Sequence, residues 1–285
     1  MNSVCLQHLL TGEERRKFDS DGYFVVKCAL TSDRVATLIH TIDELYGRGR
    51  FDLGVDPSIA DRVDHVGFLH LSPEFVSLID HPRTFPKVWG ILGWNIYSYT
   101  NHLVITPPVD GRYDPDGPTF RFHQDSGRVT LDMPELDVPA RLSLKVGFFL
   151  SDAGKPGTGN IWVLPGSHLA KKIELPVSGL GQPKGALPVC ADAGDAIIFD
   201  RRLWHAATPN YSQSVRRFLV YGYGYRWIRI KGDFEIPEAI LRDADPVRRQ
   251  LLGYSKSEGH RYGPGAEDVP LREWLREHQP TAVSD

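Results

Sequence analysis

Phe120-Arg121-Phe122-His123-Gln124-Asp125 alternates apolar and polar residues as a strand does, with a His and an Asp two positions apart. Residues i and i+2 of a strand project from one face, so His123 and Asp125 can grip one metal ion together. Further on, Ile197-Ile198-Phe199 opens a second strand-like run that ends at Trp204-His205, where His205 can supply a third ligand. Two imidazoles and one carboxylate on one face of an ion form the facial triad of non-haem Fe(II) centres, which leaves the opposite face open. In a chain with 11 histidines a His-x-Asp pair carries little weight alone. Arg216 raises it. It opens the run Arg216-Arg217-Phe218-Leu219-Val220-Tyr221, and a guanidinium fork there can pair bidentately with a carboxylate. A dicarboxylic co-substrate needs such a partner at the end far from the metal. Alternation alone leaves open whether Arg216 or Arg217 faces inward.

The same residues therefore imply Fe(II), 2-oxoglutarate as co-substrate and O2. His123, Asp125 and His205 would form the catalytic metal site, and Arg216 would bind the co-substrate. Two rival readings use the same residues: a non-redox metalloenzyme of cupin type, which leaves Arg216 idle, and a catalytically silent binding protein of the same fold.

Four ordered stretches carry a family resemblance. Leu10-Thr11-Gly12-Glu13-Glu14 through Asp21-Gly22-Tyr23-Phe24-Val25-Val26 reads as a helix followed by a strand; Gly159-Asn160-Ile161-Trp162-Val163-Leu164-Pro165-Gly166-Ser167-His168 holds a PGSH turn. Ala193-Gly194-Asp195-Ala196-Ile197-Ile198-Phe199 is a turn and strand leading toward His205, and the His-x-Asp pair completes the set. In these motifs and their order, over most of its length, the chain resembles the phytanoyl-CoA dioxygenase family of Fe(II)/2-oxoglutarate oxygenases. The resemblance implies oxidative decarboxylation of 2-oxoglutarate to succinate and CO2, coupled to oxidation, usually hydroxylation, of a substrate C–H bond. It also implies that Asn101, on the strand before the metal motif, contacts 2-oxoglutarate. The related halogenases keep the Asp125 position small, so the carboxylate here argues against halogenation. Departures from relatives fall at Ala207, where several carry a small hydroxyl residue ahead of Thr208, and around Gly147, where some carry a Trp.

The architecture this implies is mainly β with peripheral α: a double-stranded β-helix (jelly roll, cupin-like) flanked by N-terminal helices. One oxygenase domain over 1–285, with its jelly-roll core at roughly 95–230, suits the length. Thr11 to Glu14 reads as a capping box, and Thr31 caps a helix with Val35, Leu38, Ile42 and Leu45 at helical spacing. Glu74 to Ile79 and Thr84 to Leu92 read as further helices. From Ile96 the period falls to two, with strands expected at Ile96 to Ile105, Leu142 to Leu150, Ile161 to Leu164, Ala196 to Phe199 and Phe218 to Tyr225. The charged stretch after Pro246 reads as peripheral helices.

Charge is nearly balanced, 33 basic against 36 acidic residues, so no global field invites nucleic acid or an anionic membrane. Cys5, Cys28 and Cys190 are odd in number and far apart, which suits free thiols in a reducing cytoplasm. No leader or membrane-spanning run is expected. The expected partner is a small organic metabolite, with natural-product intermediates in view, and the sequence leaves the oligomeric state open. No basic cluster suits the phosphates of coenzyme A.

Lys145 interrupts the apolar run Leu142 to Leu150. It either reaches solvent or, facing in, holds a carboxylate or phosphate of the substrate. His168 sits in a turn and reads as structural; His65, His70, His81 and His102 read as packing or surface residues. Tyr221, Tyr223, Tyr225 and Trp227 share one face, as a ladder against helices or as a substrate wall. Three irregular stretches are candidate rims of the site: 47–64; 109–119, which leads into His123 and is favoured as a lid; and 126–140.

Overall fold

The computed structural model describes residues 1–48, 62–125, 127–229 and 236–283. In chain order its elements are α1 (Gly12–Asp21), β1 (Tyr23–Val26), α2 (Ser32–Gly47), β2 (Val63–Val66), α3 (Pro73–Val76), α4 (Phe85–Leu92), β3 (Ile96–Thr106), α5 (Gly127–Asp132), β4 (Ser143–Phe149), β5 (Ile161–Val163), β6 (Leu187–Pro188), β7 (Ala196–Asp200), β8 (His205–Ala207), β9 (Arg216–Tyr225), α6 (Glu238–Asp243), α7 (Pro246–Leu251) and α8 (Pro270–His278). They divide into two compact units. One holds Met1–Gly12, Val66–His102 and Tyr221–Asp285; the other holds Glu13–His65 and Leu103–Val220.

The second unit is built on two antiparallel sheets, to which every strand contributes residues. The larger runs β1-β7-β4-β9-β3-β2 and the smaller β6-β5-β8. In the larger sheet β7 is paired on both sides, with Phe199 opposite Tyr23 of β1 and Lys145 of β4. In the smaller, Val163 of β5 stands opposite His205 of β8. Alternation sends one row of each strand inward. Phe149, Ile197, Phe199, Phe218 and Val220 from the large sheet form one buried cluster with Ile161 and Val163 from the small one. This shared apolar interior holds the two sheets face to face. The inner rows of β4 and β9 carry Lys145 and Arg216, two and four positions before Gly147 and Phe149 on one strand, Phe218 and Val220 on the other. α2 begins where the Thr31 side chain accepts the Arg34 N–H at 3.2 Å, and it buries Val35, Leu38 and Ile42.

In the first unit Tyr221 and Tyr223 of the aromatic ladder prove structural, while Tyr225 and the exposed Trp227 stack on each other. Tyr221 and Tyr223 are buried and donate their hydroxyls to the Phe75 and Ile79 carbonyls at 2.9 and 2.8 Å. Phe68 meets Tyr221 and Phe85 meets Tyr223 ring to ring. The stretch after Pro246 folds as expected into short helices, and Gln250 of α7 donates to the Trp94 and Ile96 carbonyls.

One expectation needs correction. "Mainly β" is too narrow, because residues in helices and short 3-10 turns outnumber those in strands among the described residues. The excess comes from many brief helical turns, such as Phe68–Leu71 and Glu258–Arg261, too short to show a hydrophobic period. The three cysteines are free thiols. No helix among the described residues is long and apolar enough to cross a membrane.

Candidate metal centre and co-substrate pocket

The candidate ligands come from opposite sides of a narrow bridge. Phe120 to Asp125 is not a strand: the Phe122 N–H turns back on the Phe120 carbonyl at 2.8 Å, and only His123 pairs, with His205. Each of those two histidines donates its N–H to the other's carbonyl, at 2.9 and 3.0 Å. Such a hydrogen-bonded antiparallel pair puts both side chains on one face, and the two imidazole centres lie 4.4 Å apart. The Asp125 N–H donates to the Arg201 carbonyl at 2.9 Å. One ligand atom from each of His123, Asp125 and His205 lies within 4.8 Å of the others.

Hydrogen bonds orient the rings. His205 Nδ1 lies 2.8 Å from the Leu203 carbonyl and His123 Nδ1 3.2 Å from the Arg121 carbonyl. With Nδ1–H donated in each, both Nε2 atoms keep their lone pairs for a metal. Burial, then the neighbouring His123, pulls the His205 pKa down to about 4, so this imidazole is neutral at ordinary pH, as a ligand must be. Burial opposes charge on Asp125, but the Lys145 ammonium and the two imidazoles outweigh it and hold the carboxyl well below the usual range. Asp125 Oδ2 lies 3.8 Å from His205 Nε2, close enough for one ion about 2.1 Å from each to reach both. The donor set therefore fits a divalent first-row ion.

Arg216 resolves the choice between the two arginines. Arg217 is partly exposed and pairs bidentately with Asp43, at 2.8 and 2.9 Å. Arg216 is buried, with its Cζ 4.4 Å from the centre of the Phe218 ring. Its Nε and Nη2 have no hydrogen-bond partner, and no carboxylate pairs with it among the described residues. Burial, and after it the charge of Arg62, lowers its pKa. A buried guanidinium without an anion is costly, and a carboxylate would satisfy it. The residues fit 2-oxoglutarate.

Two glycines make room for Arg216 and Phe218. Gly159, at φ +72, passes so close that a Cβ there would come within 3.0 Å of Arg216 Cδ. A Cβ on Gly147 would stand 2.2 Å from Phe218 Cζ. Phe218 thus fills the space over Gly147 and carries Arg216. Thr208 is turned away: its hydroxyl donates to the Asn160 carbonyl at 2.8 Å.

Lys145 faces in, with its Nζ 2.8 Å from Asp125 Oδ2. Asn101 belongs to the first unit, where its side chain is buried with neither amide atom hydrogen-bonded among the described residues. His168 is buried in the second unit, with Nε2 3.2 Å from the Asp19 carbonyl.

The candidate lid does not lie over the metal. Tyr113 and Phe120 pack on Trp162, which points to the face of β5 opposite Val163 and joins Phe122 and Ala206 in a separate cluster. The 109–119 stretch wraps the outer face of the small sheet, pinned by the Thr119 hydroxyl on the Gly181 carbonyl and by Val109 N–H on the Asn210 carbonyl, both at 2.8 Å. Residues 49–61 of the 47–64 candidate lie outside the described residues. In the 126–140 stretch, α5 leads to main-chain carbonyls held by three cations: Pro134 by Lys171, Pro139 by Arg202 and Ala140 by Arg201.

Sequence reading missed Arg201. It is buried, accepts the Asp125 N–H on its carbonyl, and donates Nη1 back to the Asp125 carbonyl at 3.2 Å. The signal was there in Asp200-Arg201-Arg202, charges directly after a buried strand. Gln124 was missed too; its amide donates to the Ala170 and Arg202 carbonyls and fixes the residue between the two ligands.

Two facing antiparallel sheets, a two-histidine, one-carboxylate cluster and a buried arginine awaiting an anion define the class of non-haem iron, 2-oxoglutarate-dependent oxygenases. The chain belongs to the phytanoyl-CoA dioxygenase (PhyH) family, whose family model matches residues 18–218, and it is a 2-oxoglutarate-dependent dioxygenase using Fe(II). The uncharacterized protein Rv1501 of Mycobacterium tuberculosis is 26% identical over 240 residues, 82% of this chain and 83% of its own. Among solved structures, the epimerase SnoN in complex with Fe3+, alpha ketoglutarate and nogalamycin RO shares the fold with a TM-score of 0.60 at 18% identity, over 82% of this chain and 91% of that one. HygX from Streptomyces hygroscopicus, with nickel, 2-oxoglutarate and hygromycin B bound, gives 0.59 at 19% identity, over 82% and 95%.

Proposed function

We propose that the chain, as one oxygenase domain over 1–285, hydroxylates an unactivated C–H bond of a small organic metabolite, a natural-product intermediate in kind. His123, Asp125 and His205 hold Fe(II), and Arg216 takes the far carboxylate of 2-oxoglutarate. The observation that carries this is Arg216: a buried guanidinium whose Nε and Nη2 have no hydrogen-bond partner among the described residues, in the same compact unit as a three-ligand cluster. With both groups bound, the chemistry is reduction of O2, one oxygen atom passing to succinate as CO2 leaves and the other into the substrate C–H bond as hydroxyl. The chain's own residues do the positioning. Leu203 and Arg121 carbonyls fix the imidazole tautomers, Arg201 holds the Asp125 main chain, and Phe218 sets the height of Arg216. Lys145 is the cation assigned to an anionic group of the substrate. SnoN and HygX, whose structures hold nogalamycin RO and hygromycin B, support a small-molecule substrate. Neither nucleic acid nor a membrane is a partner in this reading, and a cytoplasmic setting suits its free thiols.

The test is anaerobic. Fe(II) is added to metal-free protein, 2-oxoglutarate is titrated, and the visible charge-transfer band that the two give when held together is followed. The band is expected in wild type, absent in His123→Ala, and displaced to far higher 2-oxoglutarate in Arg216→Ala. No band at saturating 2-oxoglutarate overturns the assignment of these residues.

A further inference from the structure

We propose that Lys145 is the resident cation of the metal site: its ammonium occupies the Asp125 oxygen a metal ion would use, and the ion must displace it to bind. This rests on the metal reading of His123, Asp125 and His205. The geometry is specific. Asp125 Oδ2, 3.8 Å from His205 Nε2, is the oxygen that also meets Lys145 Nζ, at 2.8 Å. Ligand carboxylates are commonly steadied by hydrogen bonds from neighbouring groups. Here the supporting group is a full positive charge, and it sits on the oxygen nearest the imidazole lone pair.

The backbone fixes why the lysine is there. Lys145 is central in β4, directly opposite Phe199 of β7, on the inward row that continues through Gly147 to Phe149. Its side chain is 9% exposed, so the ammonium has little recourse to water. A lysine stem is flexible, and the head can swing aside when a stronger cation arrives. A divalent ion and an ammonium share one oxygen only against mutual repulsion. Once displaced, the ammonium remains on the inner face, where an incoming anion can meet it. Metal binding and anion binding are therefore coupled: a carboxylate entering with or after the metal relieves the lysine, and by linkage it tightens the metal.

Mn(II), a redox-stable stand-in for Fe(II), measures this on the full-length protein by calorimetry or by loss of its free-ion EPR signal. Without 2-oxoglutarate, Lys145→Met is expected to bind Mn(II) roughly tenfold or more tighter than wild type, and Lys145→Arg, which keeps a competing charge, no tighter than wild type. Adding 2-oxoglutarate is expected to tighten Mn(II) more in wild type than in Lys145→Met. Equal or weaker binding by a folded Lys145→Met overturns the proposal alone, provided that His123→Ala abolishes Mn(II) binding. Failure of wild type and Lys145→Met alike to bind Mn(II) overturns it together with the metal reading.

Discussion

Arg216 rests its guanidinium 4.4 Å from the centre of the Phe218 ring, and that ring lies where a side chain at residue 147 would stand. The arrangement stacks a charge on an aromatic face and leaves Nε and Nη2 without a hydrogen-bond partner among the described residues. Arg216→Met should therefore separate stability from function. Removing an uncompensated buried charge should stabilise the ligand-free protein by about 1–3 kcal/mol, while 2-oxoglutarate affinity falls roughly a hundredfold or more. Urea unfolding with and without 2-oxoglutarate checks both, because the ligand should stabilise wild type and leave the variant unmoved. A variant less stable than wild type in the absence of ligand would contradict the account.

Gly147 and Phe218 should behave as one unit. Gly147→Ala forces the Phe218 ring aside and should destabilise by about 1–3 kcal/mol, with a rise in the KM for 2-oxoglutarate as Arg216 moves. Phe218→Leu alone leaves a gap and should also destabilise. The double variant should recover part of both losses, a coupling of at least about 0.5 kcal/mol in a double-mutant cycle. Strict additivity would show that the close approach does not govern the site.

Arg201 is expected to be a positioning residue for Asp125. Arg201→Met removes the donor to the Asp125 carbonyl and to Ala140 while keeping much of the buried volume. It should weaken Mn(II) binding about tenfold or more and lower kcat, with little change in the KM for 2-oxoglutarate. Calorimetry and steady-state kinetics read the two effects separately. Equal losses in both constants would point to general unfolding instead.

His168 predicts an acid-sensitive fold. Burial, ahead of nearby charges, lowers its pKa from the ordinary histidine value of 6.5, and Nδ1 is buried with no hydrogen-bond partner among the described residues. In that state the unfolded chain binds the proton first, so stability is intact above about pH 6.5 and is lost as pH falls toward the lowered value. For one proton the slope reaches at most about 1.4 kcal/mol per pH unit. Unfolding free energies at pH 7.5, 6.5 and 5.5 should show the decline, and His168→Leu should flatten it. An unchanged slope in the variant would assign the acid sensitivity elsewhere.

The sequence was legible where one local rule decided the outcome. Alternation and Gly/Pro punctuation placed β1, β3, β4, β5, β7 and β9 within a residue or two, and the Thr31 cap marked the start of α2. His123, Asp125 and His205 were readable as residue types in order. The reason they meet was not, because Phe120 to Asp125 forms a tight turn and a single bridge instead of the expected strand. Arg216 and Arg217 could not be told apart by period, since only the Asp43 carboxylate, far away in sequence, draws Arg217 outward. The 109–119 stretch looked like a lid because it leads into His123. Its fate was decided by Trp162, whose outward face offered Tyr113 and Phe120 an apolar surface. Lys145 was recognised as anomalous, but its partner across the sheets was not visible in one dimension.

The packing of Tyr113 and Phe120 behind the small sheet also decides where this protein can be lengthened. The turn Asp114-Pro115-Asp116 is exposed at the tip of that wrap, on the side away from the imidazoles. A peptide tag or a fluorescent reporter inserted there would ride on the back of the sheet and leave the chemistry at the front undisturbed.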